Sequence, residues 1–328
     1  MLKNPIYPDS LILTNCNNGN LHEYDPYMII NNELIIDEDW WNTLTRYNLY
    51  LIEKNLSGKY KLGKVITPHE IQNDNNDKLL EKIHLTYIDS FDYNVWYQSF
   101  SINNTESTIP KNVSMIHIEP DIKNILLKIY RKEEVDPKKL DTFKLQIDKN
   151  LEKGCSYFVR LSCTSGKNEK VLEPLHTRDE IIRRITTNKL FAEKEYMRDK
   201  PTYLIIIPWN DNIDSRYEFR IFVVNGKITC ACRQLWYEYY QYSSFELDNI
   251  IKALSNIEFL NIINYKSFVA DVYIDINSST CYLIEINPFG AHCGAGSALF
   301  NWISDYDILY GINNDMPEFR YLSALKYI

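Results

Sequence analysis

Two apolar runs, Phe219–Val224 and Lys227–Arg233, meet at Asn225-Gly226. Both turn residues tolerate positive φ, as a two-residue hairpin requires, so this is the strongest short-range fold signal in the chain. A second pair of runs, Phe268–Asp275 and Cys281–Asn287, reads as another hairpin around Asn277–Thr280. Helix signals stand between and before them. Asp136-Pro137 is an N-cap with Pro at the first helical position. Leu140, Phe143, Ile147 and Leu151 follow on one helical face, and Gly154 fits the left-handed stop. Thr177 with Glu180, and Ser243 with Glu246, are capping boxes. The first precedes Ile181, Ile182 and Ile185; the second precedes Leu247, Ile250, Ile251 and Leu254. Cys155–Leu161 and Tyr203–Ile207 read as strands. Helices alternating with antiparallel hairpins give the α+β class. Residues 1–95 are polar and Asn-rich, with only Leu49–Glu53 and Tyr60–Ile66 reading as strands.

Composition narrows the function classes. The chain has 328 residues, 45% hydrophobic and 24% charged, which excludes a disordered or collagen-like chain and suggests two domains, or one large one with subdomains. A net charge of −8 argues against broad nucleic-acid binding. No stretch approaches the roughly 18–20 apolar residues of a membrane span. Met1–Ile12 lacks the apolar run of a secretion signal. The seven cysteines are scattered, without the Cys-x-x-Cys pairs of a zinc site. They read as buried free thiols in a reducing compartment, the cytoplasm.

The chemistry concentrates in the two hairpins. Side chains alternate on a strand, so Glu285 and Asn287 share a face while Ile284 and Ile286 point into a core. Asp271 stands opposite Phe268, Ala270 and Val272. Once the strands pair, three oxygen ligands converge, which is the donor set Mg²⁺ takes when phosphates and water complete its octahedron. The same residues also fit a solvated strand face. In the first hairpin Glu218 and Arg220 share a face, with Arg233 on the partner strand. The two guanidinium groups suit a polyphosphate clamp; the alternative is a surface ion pair of Glu218 with an Arg. Arg160, inside Tyr157–Leu161, requires a partner. The loop from Ser162 through Ser165 and Gly166 to Lys167 can wrap phosphate with backbone N–H groups, although it lacks Walker A spacing. The aromatic run Trp236–Tyr242 reads as core or cleft lining, with a partner surface as the alternative.

Taken together, Tyr217–Val223, Phe268–Tyr273 and Leu283–Gly290 resemble the cell division cycle protein 123 family. Further matches are Trp96-Tyr97 before Thr108-Ile109-Pro110, the stretch from Phe158 to Lys167, Trp209, and Ser297, Leu299, Phe300 and Trp302. The resemblance covers roughly residues 91–303. It implies an ATP-grasp fold, two α+β subdomains whose antiparallel sheets sandwich the nucleotide. It divides the chain into an unassigned region at 1–90, an N-terminal lobe at 91–200 and a C-terminal lobe at 201–328. It implies ATP and Mg²⁺ as cofactors, with Asp271, Glu285 and Asn287 on the metal. Arg220 and Arg233 would contact the phosphates and stabilise charge on a transferred phosphoryl group; Glu218 stands beside them. Ile206, Ile207, Pro208 and Trp209 match the hinge along adenine. Arg160 falls where the family has a nucleotide-binding Lys, and Ser162, Ser165 and Lys167 lie in its phosphate-side loop. Pro208 removes one backbone donor from that hinge, and Glu285 stands where Asp is expected.

Two functions follow from the resemblance. One is a chaperone-like assembly factor acting on the gamma subunit of translation initiation factor 2, or on another protein. The other is a carboxylate–amine ligase working through an acylphosphate, with neither nucleic acid nor membrane as partner. His292 and Cys293 are adjacent and would face opposite sides of a strand, which argues against a nucleophilic dyad.

Overall fold

The computed structural model describes residues 12–15, 88–101, 112–166, 173–236, 240–261, 263, 265–290, 293, 295–302, 305–312 and 316–321. The strands expected at Leu49–Glu53 and Tyr60–Ile66 lie outside these residues. The strands are β1 (Ile12–Asn15), β2 (Ser114–Ile118), β3 (Tyr157–Leu161), β4 (Thr202–Pro208), β5 (Glu218–Val224), β6 (Lys227–Arg233), β7 (Phe268–Asp275), β8 (Thr280–Pro288) and β9 (Glu318–Tyr321). The longer helices are α1 (Tyr93–Ser101), α2 (Pro120–Tyr130), α3 (Asp141–Asp148), α4 (Arg178–Thr187) and α5 (Ser244–Ser255). The described residues fall into two compact units, divided at Phe91/Asp92 and at Asn212/Ile213.

The smaller unit is a three-stranded antiparallel sheet in the order β2-β4-β3. Because β4 belongs to it, the division between the sheets falls after that strand rather than at 200/201. Ile116, Ile118, Val159, Leu161, Leu204 and Ile206 from the strands join Leu126, Phe143, Ile147, Ile181, Ile185 and Phe191 from the helical segments in one core. The helices begin as their caps dictate. Asp136 accepts a hydrogen bond from Lys138 N at 3.0 Å and opens a 3₁₀ turn, Pro137–Leu140, that leads into α3. Thr177 and Glu180 form a complete capping box at the start of α4.

The larger unit is a six-stranded sheet in the order β1-β9-β6-β5-β7-β8. The four central and right-hand strands are antiparallel, as the two hairpins require. Asn225 and Gly226 both take positive φ at the first turn. β9 pairs parallel with β6, and β1 parallel with β9, two additions that the expectation of antiparallel sheets does not contain. Residues 12–15 therefore have a place in the larger sheet. α5, with the expected Ser243–Glu246 capping box, buries Ile250, Ala253 and Leu254 and packs on β8.

Two β-bulges set which side chains share a face. One falls between Phe222 and Val223, the other opposite Asp271 and Val272. At the second, Asp271 pairs with Glu285 and Val272 pairs with Leu283, so Ile284 is the extra residue. It is half-exposed, where alternation placed it in the core beside Ile286. The bulge lets Cys281 and Leu283 stay in the core while Glu285 and Asn287, of the same parity, emerge on the other face.

Candidate functional site

Cross-strand neighbours share a sheet face. The register therefore places Arg220, Asp271 and Glu285 in one row across β5, β7 and β8. Asn287, two residues beyond Glu285, lies opposite Val269 on the same face. The three oxygen-bearing residues are thus together. Asp271 is paired with Arg220, a cation that the sequence pattern assigned to phosphate. Arg220 Nε donates to Asp271 Oδ1 at 2.8 Å, and its Nη2 donates to Oδ2 at 2.9 Å, a bidentate pair. Arg220 Nη1 donates to the Gly296 carbonyl at 2.8 Å. Asp271 is buried. Burial works against the Arg220 charge, but the Asp271 carboxylate more than offsets it, with Glu285 adding to the effect, so Arg220 holds its proton more tightly than a free guanidinium.

Arg233 is not brought together with Arg220. It pairs across the hairpin with Phe219, whereas Arg220 pairs with Cys232, so the two guanidinium groups leave opposite faces of the sheet. Arg233 instead lies over the Tyr240 ring at 5.7 Å. The sequence shows Arg233 on the partner strand, but not its register against Arg220. Gln234 is the residue that joins Arg220: its Nε2 donates to Asp271 Oδ2 at 3.2 Å. Without the register, nothing distinguishes this Gln from any polar residue after a strand. Glu218 stands at the start of β5 across from Tyr273, on the Arg220 face.

One row further along that face, Phe222 is buried under Phe289, Phe300 and Trp302, with ring centroids 5.7–6.4 Å away. On the other side of Cys232, Arg320 lies in the same row. It donates to both oxygens of Asp305 at 2.7 and 2.8 Å and to Glu318 at 2.9 Å, and covers the Phe300 ring at 4.2 Å. Between two guanidinium groups, the Cys232 thiol is nonetheless pushed up to about 12 by burial. It is an apolar filler, not a nucleophile.

In the smaller unit, Arg160 is buried on β3 with its guanidinium 4.7 Å above the Tyr93 ring centroid. It shares a face with Ile205, opposite to the face that carries Val159 and Ile206 into the core. Of the expected hinge, Ile206 is therefore core, while Ile207, Pro208 and Trp209 are half-buried. Trp209 N donates to the Ser156 carbonyl at 2.8 Å, and Nε1 donates to Asp211 at 2.9 Å.

The expected phosphate loop differs from its reading. The Ser162 hydroxyl is buried and accepts the Tyr203 N–H at 2.9 Å. The N–H groups of Cys163 and Thr164 both donate to Glu195 Oε1, at 2.6 and 3.0 Å. Two of the backbone donors offered to phosphate are thus taken by a carboxylate of the protein. Ser165 is half-buried; Lys167 lies outside the described residues, as does His292.

With this geometry in place, the relatives can be compared. A sequence model of the D123 family matches residues 161–327, half of the chain. The chain belongs to the D123, or Cdc123, family. A CDC123-like protein of Acanthamoeba polyphaga mimivirus is 27% identical over 289 residues, spanning 82% of this chain and 85% of that protein. The cell division cycle protein 123 of Eremothecium gossypii is 31% identical over 133 residues, 40% of this chain and 36% of that protein. Cdc123 from Schizosaccharomyces pombe matches in structure with a TM-score of 0.54 at 19% identity, covering 73% of this chain and 98% of that one. Its C-terminally truncated form matches with the same TM-score at 18% identity. The fold is therefore that of Cdc123, a mixed α+β, ATP-grasp-like architecture. The chain is a divergent member of the family. Among the described residues no helix is long and apolar enough to cross a membrane.

Proposed function

We propose that this Cdc123 relative binds Mg-ATP and acts in the cytoplasm as a chaperone-like assembly factor on a protein partner, the gamma subunit of translation initiation factor 2. The observation that carries the ATP reading is the row Arg220–Asp271–Glu285 with Asn287 on the same face.

The residues fit a magnesium ion. The donors are all oxygen, the preference of a hard cation. Two carboxylates and one guanidinium share the row, and a bound cation would relieve the repulsion between the carboxylates. A carboxylate has about four lone-pair sites; Arg220 and Gln234 use one on Oδ1 and two on Oδ2, so Asp271 keeps acceptor capacity at Oδ1. Asp271, Glu285 and Asn287 would hold the ion. When bound, Mg²⁺ neutralises charge on the nucleotide phosphates. Arg220 is anchored at Nε and Nη2, which fixes the guanidinium plane without a rotamer search, and it supplies positive charge on the same face. Its partner Nη1 carries the Gly296 segment. Arg233 belongs to the opposite face and has no part in this site.

Calorimetric titration with Mg-ATP tests the nucleotide reading. Glu285→Gln and Asn287→Ala each lower the affinity by roughly tenfold or more, the usual weight of a metal ligand. Unchanged affinity in both variants removes the assignment. Capture of initiation factor 2 gamma by the wild-type chain, strengthened by Mg-ATP, tests the assembly role. Steady ATP consumption with amino acids or peptides and no gamma subunit would transfer the site to the ligase reading.

A further inference from the structure

The helical segment after α4 is tied to the loop Ser162–Gly166 at three points. Glu195 is fully buried and accepts the N–H groups of Cys163 and Thr164 on one oxygen, Oε1. Asn188 is buried, and its Nδ2 donates to the Gly166 carbonyl at 2.8 Å. Gly166 takes a φ of +64°, and a Cβ built there would lie 2.5 Å from the Phe191 ring. Residues 192–196, which carry Glu195, form a π-helical turn. Such turns cost helix geometry and recur where a side chain must be re-aimed. Here the turn brings a carboxylate under a loop far away in sequence. Burial raises the Glu195 carboxyl, while hydrogen bonds from the Cys163 backbone N–H and the Cys163 side chain work the other way.

We infer that Glu195 is a positioning residue for the loop, which it holds in a single conformation from below, so that its remaining groups face a phosphate chain already ordered. Asn188 and Phe191 complete the clamp. This rests on the nucleotide reading above together with the family resemblance, which implies that the loop lies on the phosphate side. Glu195 does not touch the nucleotide: it acts through Cys163 and Thr164. Its substitution therefore affects recognition of the phosphates and spares that of the base.

The test compares Mg-ATP affinity by calorimetry with adenosine binding by saturation-transfer NMR, in the full chain. Glu195→Ala is expected to weaken Mg-ATP by about tenfold, the cost of re-ordering roughly one backbone residue, and to leave adenosine within twofold. Glu195→Gln keeps an acceptor oxygen for both N–H groups and restores Mg-ATP affinity. Mg-ATP affinity unchanged in Glu195→Ala overturns the inference. If Glu195→Ala fails to fold, Gly166→Ala decides: it pushes the loop off Phe191 without altering Glu195. A loss confined to ATP supports the clamp, and an equal loss of ATP and adenosine overturns it. A wild-type chain that binds adenosine and not ATP refutes the nucleotide reading itself, a result distinct from failure of the clamp.

Discussion

Asp271→Ala should destabilise the larger unit strongly, whether or not nucleotide is present. The side chains of Arg220 and Asp271 are only 12% and 6% exposed, and two charge-assisted bonds join them. Such bonds are worth about 1.5–3 kcal/mol each. Removing one partner of a buried pair costs about 3–5 kcal/mol, because the remaining charge stays buried without its counter-ion. Glu285 lies close enough to support the Arg220 charge, and the Gly296 carbonyl keeps its bond. We therefore expect the lower end, about 3 kcal/mol. Urea unfolding followed by tryptophan fluorescence should show the midpoint falling with an unchanged slope. In thermal unfolding the shift is roughly 6–12 °C for a unit of this size. The decisive comparison is the double variant Asp271→Leu with Arg220→Met. Replacing both charges by apolar side chains restores most of the loss, since a buried pair is itself worth little against a well-packed apolar one. A single-variant cost below about 1 kcal/mol, or a double variant no more stable than the single, would refute the reasoning.

Phe222→Ala opens a cavity beneath Phe289, Phe300 and Trp302 and should cost about 3–5 kcal/mol in urea unfolding; a cost under about 1 kcal/mol would mean the cluster is not packed as described. Thr177→Ala removes the α4 capping box and should cost about 1 kcal/mol, measured the same way. Glu246 titrates well below its ordinary value of 4.5, near 2: burial opposes this, but hydrogen bonds from Tyr217, Ser243 and Tyr240 outweigh it. A depressed carboxyl stabilises the fold above the unfolded-state pKa and loses that contribution as pH falls through the folded one. The wild type should therefore lose more stability than Glu246→Gln between pH 4.5 and about 2, and parallel acid-unfolding curves would contradict the assignment.

Local signals were legible because their causes are local. A capping box needs only two residues three apart, and both boxes form; the Asn225-Gly226 turn needs only positive φ. The strands that carry Asp271 and Glu285 were legible too, since apolar runs between turn residues announce them. What the chain order hides is anything decided by register. The extra residue Ile284 shifts parity inside a continuous apolar run, and no residue type marks it. The face of Arg233 follows from its pairing with Phe219, which periodicity does not fix. β9 joins β6 from 88 residues further along the chain, and the Arg320–Asp305–Glu318 network exists only because it does. Glu195 is the sharpest case. In the sequence it is one of two glutamates in Ala-Glu-Lys-Glu-Tyr, and only the π-helical turn distinguishes the buried one from its exposed neighbour Glu193.

Asp271, Glu285 and Asn287 gather on one sheet face, where we propose that they hold the magnesium of a bound nucleotide. A crystal structure of the chain with Mg²⁺ and a non-hydrolysable ATP analogue tests it most directly. The account predicts a cation about 2.0–2.1 Å from oxygens of these residues, with phosphate oxygens completing its shell and Arg220 still on the same face. A nucleotide whose metal is held by other residues, or Asp271 bound to Arg220 alone with the cation elsewhere, would contradict it.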